Sequence, residues 1–503
     1  MFNKNKKFYI TTTLPYVNAD PHIGFALEII QADVLARYYR NLGYDTFFNT
    51  GVDEHGLKIF RKAQESNMDP QQYCDIYAEK FDNLKQALNL SYNSFVRTTN
   101  SHHIKAAQHF WTLCDKNGDI YKKNYKIKYC VGCELEKTDS ELTKGRCPIH
   151  PNQEMEIFEE ENYFFRYSKY QNKLLDFYQK NPKFVLPDSR FNEIKEFTKR
   201  GLEDFSISRL KEKMSWGVPV PNDDKQVMFV WFEALVSYVS ALGWPNSKKF
   251  NDFWPGFQMA GKDNLRQQSS MWQAMLMSAD LLPSKQIFIH GFITIGSQKI
   301  SKSLGNVIDP FKLVKKYGAD AVRYYLLREI SPTEDGDFTY EKFEARYNSD
   351  LAAGIGNLVS RVITLAAKSI SKSHLTPAGG FPVGFIPNPK FTPTPNFGVG
   401  ARIQNPKLKK AIEEAKKNCA GALEKFKFNE ALKIIWELIA WCDKYINDER
   451  PWEEKENAGQ VISDLLFALQ NIADLLAPFL PETAEKIKKT VKEKKSAVLF
   501  PRI

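Results

Sequence analysis

The stretch that most constrains the fold runs from residue 7 to residue 56. KFYITTTLPY (7–16) is β-branched and aromatic, and it reads as a buried strand that runs into a loop. FALEIIQADVLARYYRNLG (25–43) carries apolar residues at helical spacing and closes on a glycine, where a helix cap is expected. DTFFNTGVDEHG (45–56) reads as a second strand ending in a polar loop. Strand, helix and strand at this spacing argue a parallel α/β unit. In open sheets of that kind, ligands bind beyond the carboxyl ends of the strands. Both TTTLPYVNADPHIG and TGVDEHG lie there.

The chain has 503 residues, too many for one core, so about two to four domains are expected. Residues 118–225 hold shorter, mixed elements and a cysteine cluster, and they read as an insertion. VMFVWFEALVSYVSALG (227–243) and KQIFIHGFITIG (285–296) return to apolar patterns and read as the second half of the same sheet. After about residue 345 the pattern turns helical. KFNEALKIIWELIAWCDKYIND is apolar at 428, 431, 432, 435, 439, 442 and 446, a one-face stripe, and VISDLLFALQNIADLLAPFL is similar. Within this helical region, ahead of these two stretches, 376–400 is rich in Pro and Gly and reads as a loop or linker. The expected division is 1–117 and 226–345 for the two halves of a Rossmann-like α/β domain, 118–225 for the insertion, and 346–503 for a helical domain.

A net charge of +10 permits a polyanionic partner without requiring one. No apolar run reaches the roughly 18 residues of a membrane span. The amino end is basic without an apolar segment and enters the strand pattern by Phe8, leaving no room for a removable presequence. Seven cysteines, an odd number without a signal peptide, point to a reducing compartment, and a cytoplasmic location away from membranes is expected.

Three stretches carry chemistry. In CVGCELEKTDSELTKGRCPIH, Cys130 and Cys133 stand thirteen residues before the pair Cys147 and His150. Three thiolates and an imidazole in two close pairs can close a tetrahedral zinc shell, with Gly132 easing the turn and no open position left for catalysis. Four unrelated residues is the bland alternative. In NADPHIGFALE, His22 and Gly24 fall where the first strand meets the following helix, so that free backbone N–H groups and the helix dipole could face a phosphate. A sequence that merely turns the chain would look the same. In QKISKSLGNV (298–307), Lys299 and Lys302 sit three apart on a loop. They could stabilise charge developing on a transferring phosphoryl group, or form an ordinary solvated run.

Taken together, H-x-G after the first strand and K-I-S-K-S 277 residues later resemble the two signatures of class I aminoacyl-tRNA synthetases. The order LPYVNADPHIGF, TGVDEHG, the C-x2-C…C-x2-H insertion, FVWFEALVSY, GKDNLRQQS, KISKSLGNV, NLVSR and ERPW is similar to that of the methionyl-tRNA synthetase family, over nearly the whole chain. The resemblance implies an α/β Rossmann-like catalytic domain with a zinc-binding connective insertion, followed by an all-α anticodon-binding bundle. It implies ATP-dependent attachment of L-methionine to tRNA(Met), initiator and elongator, through methionyl-adenylate. Mg²⁺ would accompany ATP, and one structural zinc would be bound per chain. His22, Lys299 and Lys302 would be catalytic, and Gly24 and Ser301 would join them in binding ATP. Asp53 would hold the methionine ammonium group, and Leu14, Tyr16, Trp231, Ala234, Leu235 and Tyr238 would wall its side chain. Trp231 and Tyr238 could equally be ordinary core on pattern alone. Asn357, Arg361 and Trp452 would read the anticodon by hydrogen bonds and stacking. A capping Asn and a packed Trp are the alternatives. The lysine runs KLKK, KIKK and KEKK would add phosphate attraction or form solvated helix faces.

Two positions depart from the family pattern. Phe25 stands where the first signature commonly ends in His. Gln268 stands where many relatives carry a histidine near the methionine side chain, and its amide could still donate towards sulfur. The spacing leaves little room for the editing domain of leucyl, isoleucyl and valyl relatives. The chain stops at LFPRI without the appended tRNA-binding domain that often mediates dimerisation, so a monomer is expected. A cysteine-specific synthetase, a silent tRNA-binding paralogue and a free-standing nucleotidyltransferase are the competing readings.

Overall fold

The computed structural model describes residues 6–133, 135–137, 139–296, 298–300, 307–373, 403–453, 456–495 and 497–503; the expected linker at 376–400 lies outside them. The chain divides into two compact units. One comprises Met1–Phe292, Ile300–Lys312 and Thr333–Asp335, the other Ile293–Lys299, Leu313–Pro332 and Gly336–Ile503.

The first unit is built on a six-stranded sheet. Its strands are β1 (Lys7–Thr12), β2 (Asp45–Val52), β3 (Ser94–Arg97), β4 (Val185–Leu186), β5 (Phe257–Gly261) and β6 (Gln286–His290), in the spatial order β3-β2-β1-β5-β6-β4. Every pairing is parallel. All of β1 after Lys7 and all of β2 after Asp45 are buried, as expected of strands covered on both faces. The order reverses between β1 and β5, which opens a crevice at their carboxyl ends. Helix α1 (Ile23–Asn41) returns from β1 to β2 and closes on Gly43, whose φ is 82° and whose N–H donates to the Arg40 carbonyl at 2.9 Å.

The second half of the sheet differs from the expectation. After Met228 the chain turns into two short helices, Val230–Ala234 and Ser237–Ser240, and adds no strand to this sheet. The neighbour of β1 is instead FQMAG, too short for its period to stand out from the sequence. Of 285–296 only β6 joins the sheet; Ile293–Ile295 pairs with Gln298–Lys299 and Gly336–Asp337 in the second unit. Val185–Leu186, within the stretch read as an insertion, forms the sheet's edge. The rest of that stretch is dominated by an antiparallel hairpin of Ile120–Cys130 and Glu156–Phe165, whose connecting loop carries the cysteine cluster.

The second unit is mostly helical: α2 (Asn357–Ser373), α3 (Pro406–Leu423), α4 (Phe428–Glu449), α5 (Ala458–Leu476) and α6 (Pro481–Glu493). All seven positions of the expected stripe on α4 are buried. Before α2 the helix widens over Tyr347–Gly356, where Trp436 Nε1 donates to the Asp350 carbonyl at 3.1 Å and competes with the helical ladder. By length and composition the continuous run Tyr340–Ser369, in which an 18-residue window has a mean hydropathy of 1.2, is long and apolar enough to cross a membrane. Its apolar residues Leu351, Ile355, Leu358, Val359, Val362 and Ile363 are buried, and α2 packs on α4 and α5.

At Gly51, opposite Val96 in the β2–β3 pairing, a Cβ would fall 2.0 Å from the Val96 carbonyl oxygen. Gly51→Ala is therefore expected to destabilise the first unit by about 1–3 kcal/mol, as overpacking does. Thermal unfolding checks this, and an unchanged midpoint would show that β3 yields.

Candidate active site and metal centre

The crevice is shaped by continued pairing beyond the strands. Tyr16 bridges to Asp53, the Asp53 N–H donates to the Pro15 carbonyl (2.9 Å), and the Val17 N–H donates to the Asp53 carbonyl (3.2 Å). Leu14, Tyr16 and Asp53 are thereby held at one edge. Asp53 is 3% exposed, and its carboxylate accepts from the His55 N–H (3.3 Å) and the Thr98 hydroxyl (3.4 Å). Across the crevice, Trp231, Ala234, Leu235 and Tyr238 fall at i, i+3, i+4 and i+7 of two successive short helices, so they share one face. Trp231 meets Tyr16 edge-on, with ring centres 6.3 Å apart. Its Nε1–H is buried and has no hydrogen-bond partner among the described residues.

Gln268 is fixed by other buried amides. Its Nε2 donates to the Tyr238 hydroxyl at 2.7 Å, and its Oε1 accepts from Gln258 Nε2 at 3.4 Å. Gln258 Oε1 accepts from the Ser284 hydroxyl (2.6 Å), and Gln273 joins Ser284 to the Gln268 carbonyl (2.9 and 2.7 Å). The Gln268 amide thus engages Tyr238 rather than standing alone. Burial drives the Tyr238 hydroxyl well above its ordinary range, so it remains a donor. A buried carboxylate beside aromatic and aliphatic walls suits a ligand with an ammonium group and an unbranched apolar side chain.

His22 caps α1. Its Nδ1 accepts from the Gly24 N–H at 3.1 Å, so the neutral ring carries its proton on Nε2 as a donor. A Cβ on Gly24 would lie 2.9 Å from His22 Cε1, so glycine leaves room for the ring to fold over the helix start. Phe25 stacks on the imidazole at 4.2 Å and meets Phe81 edge-on. The expectation of free N–H groups fails for the first three helical residues. Ile23 donates to the Ile308 carbonyl (3.0 Å), Gly24 to His22 Nδ1, and Phe25 to the His22 carbonyl (3.0 Å). The bond to Ile308 ties the segment after the lysine loop to the start of α1. Lys299 lies in the strand Gln298–Lys299, while Ser301 and Lys302 lie outside the described residues.

A buried pair at this site escaped the sequence reading. Glu28 Oε1 accepts from the Thr13 N–H (2.7 Å) and hydroxyl (2.6 Å), and Oε2 accepts from His290 Nε2 (2.8 Å). His290 Nδ1 donates to the Gly291 carbonyl at 2.7 Å. Burial alone would lower the His290 pKa, but the Glu28 carboxylate and the Gly291 carbonyl outweigh it and raise it above the usual 6.5. Only the helical position of Glu28, six residues after His22, hinted that it faces the strand end.

Cys130, Cys133, Cys147 and His150 converge, with their ligand atoms all within 4.8 Å of one another. Cys133 Sγ lies 3.5 Å from Cys147 Sγ and 3.2 Å from His150 Nδ1, and Cys130 Sγ lies 3.7 Å from His150 Nδ1. Ligands about 2.0–2.3 Å from a tetrahedral zinc stand roughly 3.3–3.8 Å apart, so the cluster is positioned to hold a metal ion and fits zinc. Hydrogen bonding between the Cys130 and Cys133 thiols lowers the pKa of Cys130, to about 3, and raises that of Cys133. Cys130 ends its strand, and Cys147 follows a two-residue turn in which Lys144 and Gly145 both have positive φ. Gly132 is needed for space: a Cβ there would be 2.5 Å from His150 Cγ.

In the second unit, Asn357 has helical dihedrals and an exposed side chain, and Trp452 is 49% exposed. Neither the capping nor the packed alternative holds. Arg361 Nη1 donates to Asp443 Oδ1 (3.0 Å) and Nη2 to Asn447 Oδ1 (2.7 Å), both on α4. In KLKK and KIKK, Leu408 and Ile487 are buried while Lys407, Lys409, Lys410, Lys486 and Lys489 face outward, as on solvated faces.

A parallel sheet with its crevice at the strand ends, a capping H-x-G and an inserted thiolate cluster define a class I aminoacyl-tRNA synthetase. Residues 8–156 and 150–363 match the family model described as tRNA synthetases class I (M), and residues 407–502 match that of the anticodon-binding domain of tRNA ligase. The methionine–tRNA ligase of Thermotoga maritima is 42% identical over 96% of this chain and 74% of its own length. That of Thermosynechococcus vestitus is 42% identical over 95% and 89%. The solved Mycobacterium tuberculosis methionyl-tRNA synthetase in complex with methionyl-adenylate superposes with a TM-score of 0.86 at 35% identity, covering 96% of this chain and 93% of that one. The chain belongs to the methionyl-tRNA synthetase family.

Two outcomes follow from the geometry. Because the His290 pKa is raised on folding, its stabilisation is complete below about pH 6.5 and is lost as pH rises through the raised value. The thermal midpoint of the native chain should exceed that of His290→Gln by a margin that shrinks over that window, and a constant margin would remove the charged pair. Metal analysis should find about one zinc per chain, lost in Cys147→Ser; a metal-free native chain of full stability would contradict the centre.

Proposed function

We propose that this chain activates L-methionine with ATP and transfers the methionyl group to tRNA(Met), with the crevice residues in the following roles. The observation that carries the reading is the buried Asp53 carboxylate, held beside the Trp231–Tyr238 face at the carboxyl end of β2. Asp53 binds the ammonium group. Leu14, Tyr16, Trp231, Ala234, Leu235 and Tyr238 enclose the thioether chain, with Gln268 holding Tyr238. His22, presenting Nε2–H, binds the ATP phosphates, and Gly24 keeps its ring in place. Lys299, Ser301 and Lys302 bind the triphosphate, and Mg²⁺ accompanies it.

The methionine carboxylate attacks the α-phosphorus. A phosphorus–oxygen bond to the leaving pyrophosphate breaks, and the lysine ammonium groups offset the charge that develops. The terminal adenosine hydroxyl of tRNA then attacks the adenylate carbonyl, releasing AMP. Both steps need positioning and charge stabilisation more than a protein nucleophile. Asn357, Arg361 and Trp452 read the anticodon, with Asp443 and Asn447 holding the Arg361 fork, in initiator and elongator tRNA alike. The zinc is structural, and the division at 117, 225 and 345 separates the catalytic halves, the insertion and the anticodon domain, except that Val185–Leu186 joins the catalytic sheet and Leu313–Pro332 belongs to the helical unit. The chain acts as a monomer in the cytoplasm, a setting supported by seven cysteines that form no disulfide.

Amino-acid-dependent exchange of pyrophosphate into ATP tests this reading. Exchange is expected with methionine and not with cysteine, leucine, isoleucine or valine. Lys302→Ala should reduce it by about 10²-fold or more, as loss of a transition-state contact does, with the fold intact by circular dichroism. Exchange with another amino acid alone would overturn the pocket assignment, and an unchanged Lys302→Ala rate would remove that lysine from the chemistry.

A further inference from the structure

Three buried titratable groups that take no part in the roles above, Glu233, His55 and His103, meet behind the pocket wall. Glu233 lies between Trp231 and Ala234 on the helix Val230–Ala234, and helical spacing turns it away from the face those two share with Leu235 and Tyr238. It is fully buried. Its Oε1 accepts from His55 Nδ1 at 3.0 Å and its Oε2 from His103 Nε2 at 2.8 Å. His103, in the first turn of the helix Ser101–Lys116, also bonds the Ser240 hydroxyl through Nδ1 at 3.0 Å, and Ser240 belongs to the second pocket helix. His55 follows Asp53 by two residues, and its own N–H donates to Asp53 Oδ1 at 3.3 Å. Trp216 packs on the His55 ring at 5.5 Å and donates from Nε1 to the Glu54 carbonyl at 2.6 Å. Contacts therefore run without a break from the pocket wall, through Glu233 and His55, to the Asp53 carboxylate.

Stability alone does not explain a charge here. Burying a carboxylate costs about as much as its partners return, and an apolar residue of similar volume would serve as well. Burial pushes the Glu233 pKa up, but the two imidazoles more than offset it and keep the group ionised. A charge held by two directional hydrogen bonds admits one arrangement, where apolar packing tolerates sliding. The parts joined are the carboxylate assigned to the ammonium group and the face assigned to the side chain. In an amino acid those two groups leave the same carbon atom, so slippage between their sites weakens amino-acid binding and leaves ATP binding alone.

We infer that Glu233, clamped between His55 and His103, is a positioning residue that sets the spacing of Asp53 from the Trp231–Tyr238 face and so the affinity for the amino acid. This rests on the reading of Asp53 as the ammonium site. The test is methionine-dependent pyrophosphate exchange by the full chain, and its absence in the native protein would defeat that reading rather than this one. With native exchange established, His103→Ala should raise KM for methionine about tenfold, the scale of one charged hydrogen bond. KM for ATP and kcat should stay within about twofold, the pattern of lost uniform binding. His103→Gln, whose amide reaches the place of Nε2, should restore the methionine KM. Should His103→Ala fail to fold, Glu233→Gln reads the same effect, because an amide oxygen and nitrogen cannot accept from both imidazoles. An unchanged methionine KM, or an equal loss of kcat with both KM values unchanged, would overturn the inference.

Discussion

The parallel pairing of β1 with β2, carried past the strands to Tyr16 and Asp53, is the constraint on which the rest of the site depends. Two backbone hydrogen bonds hold the loop Leu14–Tyr16 against the end of β2. The Asp53 carboxylate is buried at this place. Because the strand order reverses next to β1, the crevice opens beside this loop. One register therefore fixes the Asp53 edge of the crevice and the start of α1 together.

Around that frame the pocket is held by buried polar groups. Gln268, Gln258, Gln273 and Ser284 orient Tyr238, Glu28 joins His290 to Thr13, and Glu233 joins His55 to His103. Each group has a hydrogen-bond partner, and the bonds from Tyr238, His290, His55 and His103 join segments distant in sequence, which is what makes burial affordable and the arrangement single-valued. Phe25 fits the same logic: a ring that supplies no polar contact stacks on His22 and steadies the imidazole that caps the helix.

The insertion works on a smaller scale. Its hairpin sets Cys130 at a strand end, a two-residue turn delivers Cys147, and the missing side chain of Gly132 admits the His150 ring. Three cysteines and an imidazole at these separations are positioned to hold a metal ion, and zinc would order the loop around them.

What the sequence determined by itself was whatever is encoded locally. The β-branched runs of β1 and β2, the amphipathic stripe of α4, the glycine that ends α1, and the paired cysteine spacing each follow from neighbours within a few turns or strands. The resemblance of the ordered motifs extended that reading to the family. Tertiary structure decided the rest. FQMAG is too short to announce itself, yet it lies next to β1 because sheet order depends on packing between distant segments. Val185–Leu186 joins the sheet edge across a hundred residues from β6. His290, Glu233 and His103 carry no local signal and Glu28 only its place on the helix, because a buried charge is tolerated only where remote partners meet it. The first-turn N–H groups of α1 that sequence leaves open are taken by Ile308 and His22, for the same reason: a donor's partner is chosen by the fold and not by its neighbours in the chain.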